Sequence, residues 1–124
     1  MADKRKDKAS TQHDLVECDL EFPRVRLELE KLELSELEQV EAAVEKIQQM
    51  TWDQLYKTSS KTQKRGLNWE QIAGQQTAQG KTIASIRISG KFRARVCRDG
   101  KFMRFISLHP DHDSAYEESG GESL

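Results

Sequence analysis

Asp99-Gly100 leaves the chain around it few structures to adopt. Both positions tolerate positive φ, as a two-residue β-hairpin loop requires, and apolar and polar residues alternate on either side. Ser89-Gly90-Lys91 marks a second turn. Together they predict a three-stranded meander, with strands at about 82–88, 92–98 and 101–108.

Burial of one face selects the register, because a one-residue slip turns every side chain over. A three-residue loop at the first turn pairs Ile88 with Phe92, Arg87 with Arg93 and Ile86 with Ala94. An Asp99-Gly100 loop pairs Val96 with Met103, Arg95 with Arg104 and Ala94 with Phe105. One face then collects Ile86, Ile88, Phe92, Ala94, Val96, Met103 and Phe105, a surface for helices to cover. The other collects Arg87, Arg93, Arg95 and Arg104, with Ser85 and Ile106 among them. Arginines directly opposite each other repel, at roughly 0.2–1 kcal/mol per pair. An anionic ligand relieves that repulsion, and guanidinium forks onto phosphate oxygens and stacks on bases. The bland alternatives are a solvated face and one that docks on an acidic protein segment.

The rest of the chain supplies the covering layer. Residues 1–16 are polar and charge-rich, and read as a disordered tail; residues 17–116 read as the single domain, and the acidic 117–124 as a flexible end. Residues 17–22 suit a short strand with Cys18, Leu20 and Phe22 on one face. Pro23 suits a helix start, and a helix is favoured for the stretch containing Val25, Leu29 and Leu32. Ser35-Glu36-Leu37-Glu38 has the form of a capping box. Leu37, Val40, Val44 and Ile47 continue at helical spacing, to an end near Met50. Thr51 can cap a short helix carrying Trp52, Leu55 and Tyr56. Residues 58–65 read as a loop, 67–72 as a turn or short helix, and 74–80 as a polar link. The expected fold is α+β: a small two-layer sandwich with a helical hairpin on an antiparallel sheet.

The formal net charge of −1 conceals a strong polarity. Residues 1–60 carry 9 Lys/Arg and 14 Asp/Glu, a net −5; residues 61–110 carry 11 Lys/Arg against Glu70 and Asp99, a net +9; residues 111–124 carry five acids and no bases. A basic segment of this kind suits a polyanion partner or, less specifically, a solvated surface. No apolar run approaches the roughly 20 residues of a membrane span, and no apolar stretch follows the basic N-terminus as in a secretory signal, so a cytoplasmic protein is expected. Cys18 and Cys97 lie far apart, and with His13, His109 and His112 they form no recognised metal-ligand pattern.

After the last strand comes His109-Pro110-Asp111-His112-Asp113-Ser114-Ala115-Tyr116. Histidine is the usual general acid or base near neutral pH. RNA carries its own nucleophile, the 2′-hydroxyl. Its cleavage needs a base, an acid and cations for the phosphorane charge, and no metal or cofactor. A capping or loop role is the commoner fate of such histidines.

The order of elements, the segment Ser85-Ile-Arg-Ile-Ser-Gly-Lys-Phe-Arg-Ala-Arg-Val96 and the tail His112-Asp-Ser-Ala-Tyr116 resemble the RelE/ParE superfamily of toxins from bacterial toxin–antitoxin systems. In the RelE branch the strand after the glycine turn carries an aromatic–arginine pair, matched by Phe92 and Arg93. The strand before it carries basic residues, matched by Arg87, with Ser85 at the other usual basic position. The resemblance implies a small α/β sandwich that cuts mRNA on the ribosome without a metal, represses translation, and is held inactive by a cognate antitoxin. Arg93 and Arg87 would then stabilise the scissile phosphate, and Tyr116 or His112 would move protons. Asp113 stands where many members place a base. The alternative is a non-catalytic binding module of the same fold: a toxin directed at DNA gyrase, as the ParE branch implies, or an RNA- or protein-binding relative without the chemistry. The register adds Arg95 and Arg104 for flanking phosphates, and Lys91 and His109 complete the phosphate-binding set.

Overall fold

Glycine sets both turns of the meander. In the computed structural model, which describes residues 11–58 and 67–110, β3 (Thr82–Ser89), β4 (Phe92–Asp99) and β5 (Phe102–His109) are joined by Gly90-Lys91 and Gly100-Lys101. Gly90 and Gly100 have φ of 48° and 63°, and neither lysine has positive φ. Glycine in the first central position, followed by an ordinary residue, is the type II′ arrangement whose twist matches the strands.

The loops therefore differ from the sequence reading by a residue at each turn, and in the first hairpin a bulge restores the expected pairing. Arg87 opposes Arg93 and Ile86 opposes Ala94, as expected, but Phe92 opposes Ser89, with Ile88 as the extra residue. In the second hairpin Val96 opposes Phe105, two positions from the expected Met103, and Cys97 opposes Arg104. An irregularity at Ile106 then brings Ser107 opposite Arg95 and His109 opposite Arg93. The expected Arg95–Arg104 pair does not form.

The sheet has five strands in the order β1-β5-β4-β3-β2 and is mixed, not wholly antiparallel. β1 (Glu17–Asp19) runs parallel to β5 at one sheet edge, and the chain then passes through the helices to the strand at the opposite edge. β2 (Glu70–Gln76) replaces the expected turn and link. Its polar sequence reflects an outer strand with mostly exposed side chains, and Gly74, at φ 79°, lies where its pairing with β3 shifts. The chain turns back through Thr77, whose N–H donates to the Lys81 carbonyl at 2.8 Å.

Three helices cover one face. α1 (Pro23–Lys31) begins at proline, whose missing N–H costs nothing there. α2 (Leu34–Ile47) is capped by Glu33 and Glu36, so the capping box lies two residues before the Ser35–Glu38 expected, and the helix ends before Met50. α3 (Trp52–Lys57) is capped by Thr51 and Gln54. Val25, Val40, Ile47, Trp52 and Leu55 from the helices join Ala84, Ile86, Phe92, Ala94, Val96, Met103, Phe105 and Leu108 from the sheet in one core. No helix among the described residues is long and apolar enough to cross a membrane.

Ordered structure reaches back before Glu17. Leu15 bridges Thr51, and Val16 is buried with its N–H on the Met50 carbonyl. Phe22 lies beyond β1 and is half exposed, not part of the strand. Cys18 faces the same side as Met103, and its N–H donates to Gln48 Oε1 at 2.9 Å. Burial pushes the Cys18 thiol from 9.0 up to about 12. A thiol raised in the folded state contributes stability below its unfolded value and loses that contribution as pH rises past it. Between about pH 9 and 12 the wild type should therefore lose more stability than Cys18→Ala, as read by urea midpoints. Parallel pH profiles of the two would contradict this account.

Candidate nucleic-acid interface

With the helices on one side, alternation along β4 sends Arg93, Arg95 and Cys97 to the other. Pairing extends each position into a cross-strand row. At the Gly90 end, Arg87, Arg93 and His109 stand in line across three strands. The next row holds Glu70, Ser85, Arg95 and Ser107, and the third holds Ile83, Cys97 and Arg104. The first row fulfils the expected Arg87–Arg93 juxtaposition and adds an imidazole to it. Lys91 is exposed in the turn that closes this end.

The cations of the basic segment divide into two groups. Arg104 pairs with Asp99 at 3.2 Å and Asp19 at 3.5 Å, so its charge is already matched. Lys81 pairs with Asp99, and Lys101 with Glu17. Arg98 faces the helices, 4.4 Å from the Trp52 ring centroid. It donates to the Gly100 carbonyl, the Tyr56 hydroxyl, Gln12 and Thr11. Four cations counted in the net +9 thus serve the fold. By contrast, none of Lys91, Arg93 and Arg95 ion-pairs with a carboxylate among the described residues. Arg93 and Arg95 are half-buried, which weakens solvent screening of their charge.

His109 and Ser107 are buried, at 6% and 3% exposure, although they lie on the arginine face. His109 Nε2 and Ser107 Oγ are 2.9 Å apart, which fixes the imidazole's orientation beside Arg93. Sequence reasoning missed Ser107 because the irregularity at Ile106 decides its row. Cys97 is buried on the same face; burial pushes its thiol up, with Arg104 opposing that shift and Asp99 adding to it. His112 and Tyr116, the expected proton-transfer residues, lie outside the described residues. Of the expected site, the structure brings together Arg87, Arg93, Arg95, Lys91 and His109 and assigns Arg104 to an internal ion-pair network.

This arrangement suits phosphate. Two arginines and a histidine share one cross-strand row, and a further arginine follows roughly 7 Å along β4. Consecutive phosphates of an extended single strand have a comparable spacing, so the two rows can hold neighbouring phosphates of one strand. No family model, curated protein or solved structure matches this chain when each is compared with it.

Proposed function

We propose that this chain is a RelE/ParE-type toxin, a metal-independent endoribonuclease that cuts mRNA on the ribosome, represses translation, and is held inactive by a cognate antitoxin. The observation that carries the reading is the row Arg87–Arg93–His109 on the face the helices leave open, with Arg95 next along β4. The order of strand, helices and meander supports the family resemblance.

In the proposed reaction the 2′-hydroxyl oxygen attacks the adjacent phosphorus. A base takes the hydroxyl proton, and the bond to the 5′-oxygen breaks. That oxygen receives a proton from an acid, leaving a 2′,3′-cyclic phosphate and a 5′-hydroxyl. Arg93 and Arg87 oppose the charge that accumulates on the phosphorane oxygens, an effect that grows toward the transition state. The family pattern gives proton transfer to His112 or Tyr116. Arg95 and Lys91 position the flanking strand, and His109 supports the phosphate beside Arg93.

Incubation of the purified chain with translating ribosomes, followed by mapping of mRNA 5′ ends, tests this. New ends should arise with the wild type and disappear with His112→Ala or Tyr116→Phe. Intact mRNA alongside inhibited gyrase supercoiling would replace this reading with the ParE-type one.

A further inference from the structure

The third row of the arginine face forms the floor of a cavity of about 700 Å³. Ile83, Cys97 and Ile106 line its floor, Gln76 at the end of β2 and Gln79 in the turn after it stand on one side, and Phe22 stands on the other. Its chemistry differs from that of the neighbouring rows. Its two cations, Lys81 and Arg104, are paired with Asp99 and Asp19, and Glu21 adds a further carboxylate to the rim. Such a site does not favour phosphate. An apolar floor, a half-exposed aromatic ring and a rim of amides and carboxylates suit a flat heterocycle with hydrogen-bonding edges.

Position then identifies the heterocycle. Cys97 follows Arg95 on the same face of β4, as Arg95 follows Arg93, so the cavity lies one step of roughly 7 Å beyond the second phosphate row. A strand whose phosphates lie over Arg93 and Arg95 brings its next nucleotide to the cavity mouth. Carboxylates only accept hydrogen bonds, and each offers more lone pairs than its ion pair occupies. The rim therefore discriminates in favour of bases that donate from an exocyclic amine.

We propose that this cavity is a nucleobase subsite that prefers the amino-bearing bases adenine, guanine and cytosine to uracil. The assignment of the strand's path rests on the RNA-binding reading above, but occupancy by a base can be tested without it.

The first arm uses uncharged nucleosides. Adenosine, guanosine and cytidine should shift the NMR signals of the Ile83 and Ile106 methyl groups, and uridine should do so at least threefold more weakly. The second arm uses 2′-O-methyl tetranucleotides that cannot be cleaved, compared with versions lacking one base. The intact oligonucleotide should bind about tenfold tighter than its abasic counterpart. Ile83→Trp, which fills the cavity, should abolish that difference, and Gln79→Ala at the exposed turn should reduce it if the tryptophan variant fails to fold. Arg93→Ala should weaken both oligonucleotides alike. Equal binding of intact and abasic oligonucleotides, with silent methyl groups in all four nucleosides, overturns the subsite while leaving the phosphate face standing. Methyl shifts with nucleosides but no oligonucleotide binding retain the subsite and overturn the RNA-binding reading.

Discussion

Arg93→Ala should lower mRNA cleavage by about 10²–10³-fold, the range found when one preorganised charge-stabilising donor is removed from an active site. Arg93 is central to its row, with Arg87 on one side and His109 on the other, so no neighbour on β4 can replace it. The same substitution should stabilise the fold by roughly 0.2–1 kcal/mol, because it removes one member of a directly opposed like-charge pair. Activity and stability should therefore move in opposite directions, which separates a lost contact with RNA from a damaged protein. RNA affinity measured across salt concentrations supplies a third reading: the single-strand slope should fall by about 0.7 on loss of one phosphate contact. Arg104→Ala should leave that slope unchanged, because Asp19 and Asp99 already match its charge. An Arg93→Ala protein that loses urea resistance and cleavage together, or that cleaves at the wild-type rate, would remove the row from the mechanism.

Legibility from sequence ran out where backbone irregularity takes over from alternation. Strong periodicity marked the meander and its two faces, and Arg87 does oppose Arg93. A glycine preceded by a small polar residue signals a turn, but not which two residues form its loop. At Gly90 and Gly100 that choice moves by one residue; Ile88 absorbs the difference in the first hairpin, whereas in the second the pairing slides by two positions and Ile106 adds a further shift. The slide of the second turn alone sets Arg104 one row from Arg95, beside Cys97, where Asp19 and Asp99 match its charge, and alternation carries no signal of that slide. β2 escaped detection for another reason. An edge strand with little buried surface lacks the apolar alternation that reveals its neighbours, and Gly74 resembles a link. The cap of α2 shows a local ambiguity: Glu33 and Glu36 satisfy the same spacing rule as Ser35 and Glu38, and the fold uses the glutamates.

Trp52→Ala should cost about 3–5 kcal/mol, the usual range for truncating a buried large aromatic. Small domains have only about 5–15 kcal/mol in total, so the variant should be largely unfolded in modest urea. Trp52 is fully buried, and Tyr56 and Trp69 lie with ring centroids 5.6 and 5.5 Å from it. Arg98 stacks on the indole, and the indole N–H donates to the Lys101 carbonyl at 2.9 Å. One side chain thus ties α3 to the turn between β4 and β5. Trp52→Phe retains most of the apolar area but leaves the Lys101 carbonyl with the Glu17 N–H as its donor, a loss of one hydrogen bond at about 0.5–1.5 kcal/mol. Amide exchange separates the two effects. In Trp52→Phe, protection should fall first around Phe102, next to Asp99 and the Arg104 ion pair, while amides beside Arg93, at the other end of β4, keep theirs until global unfolding. Uniform loss of protection along the strand would mean that the indole N–H holds no particular turn, and a Trp52→Ala protein weakened by less than about 1 kcal/mol would mean that Trp52 is not a keystone of this core.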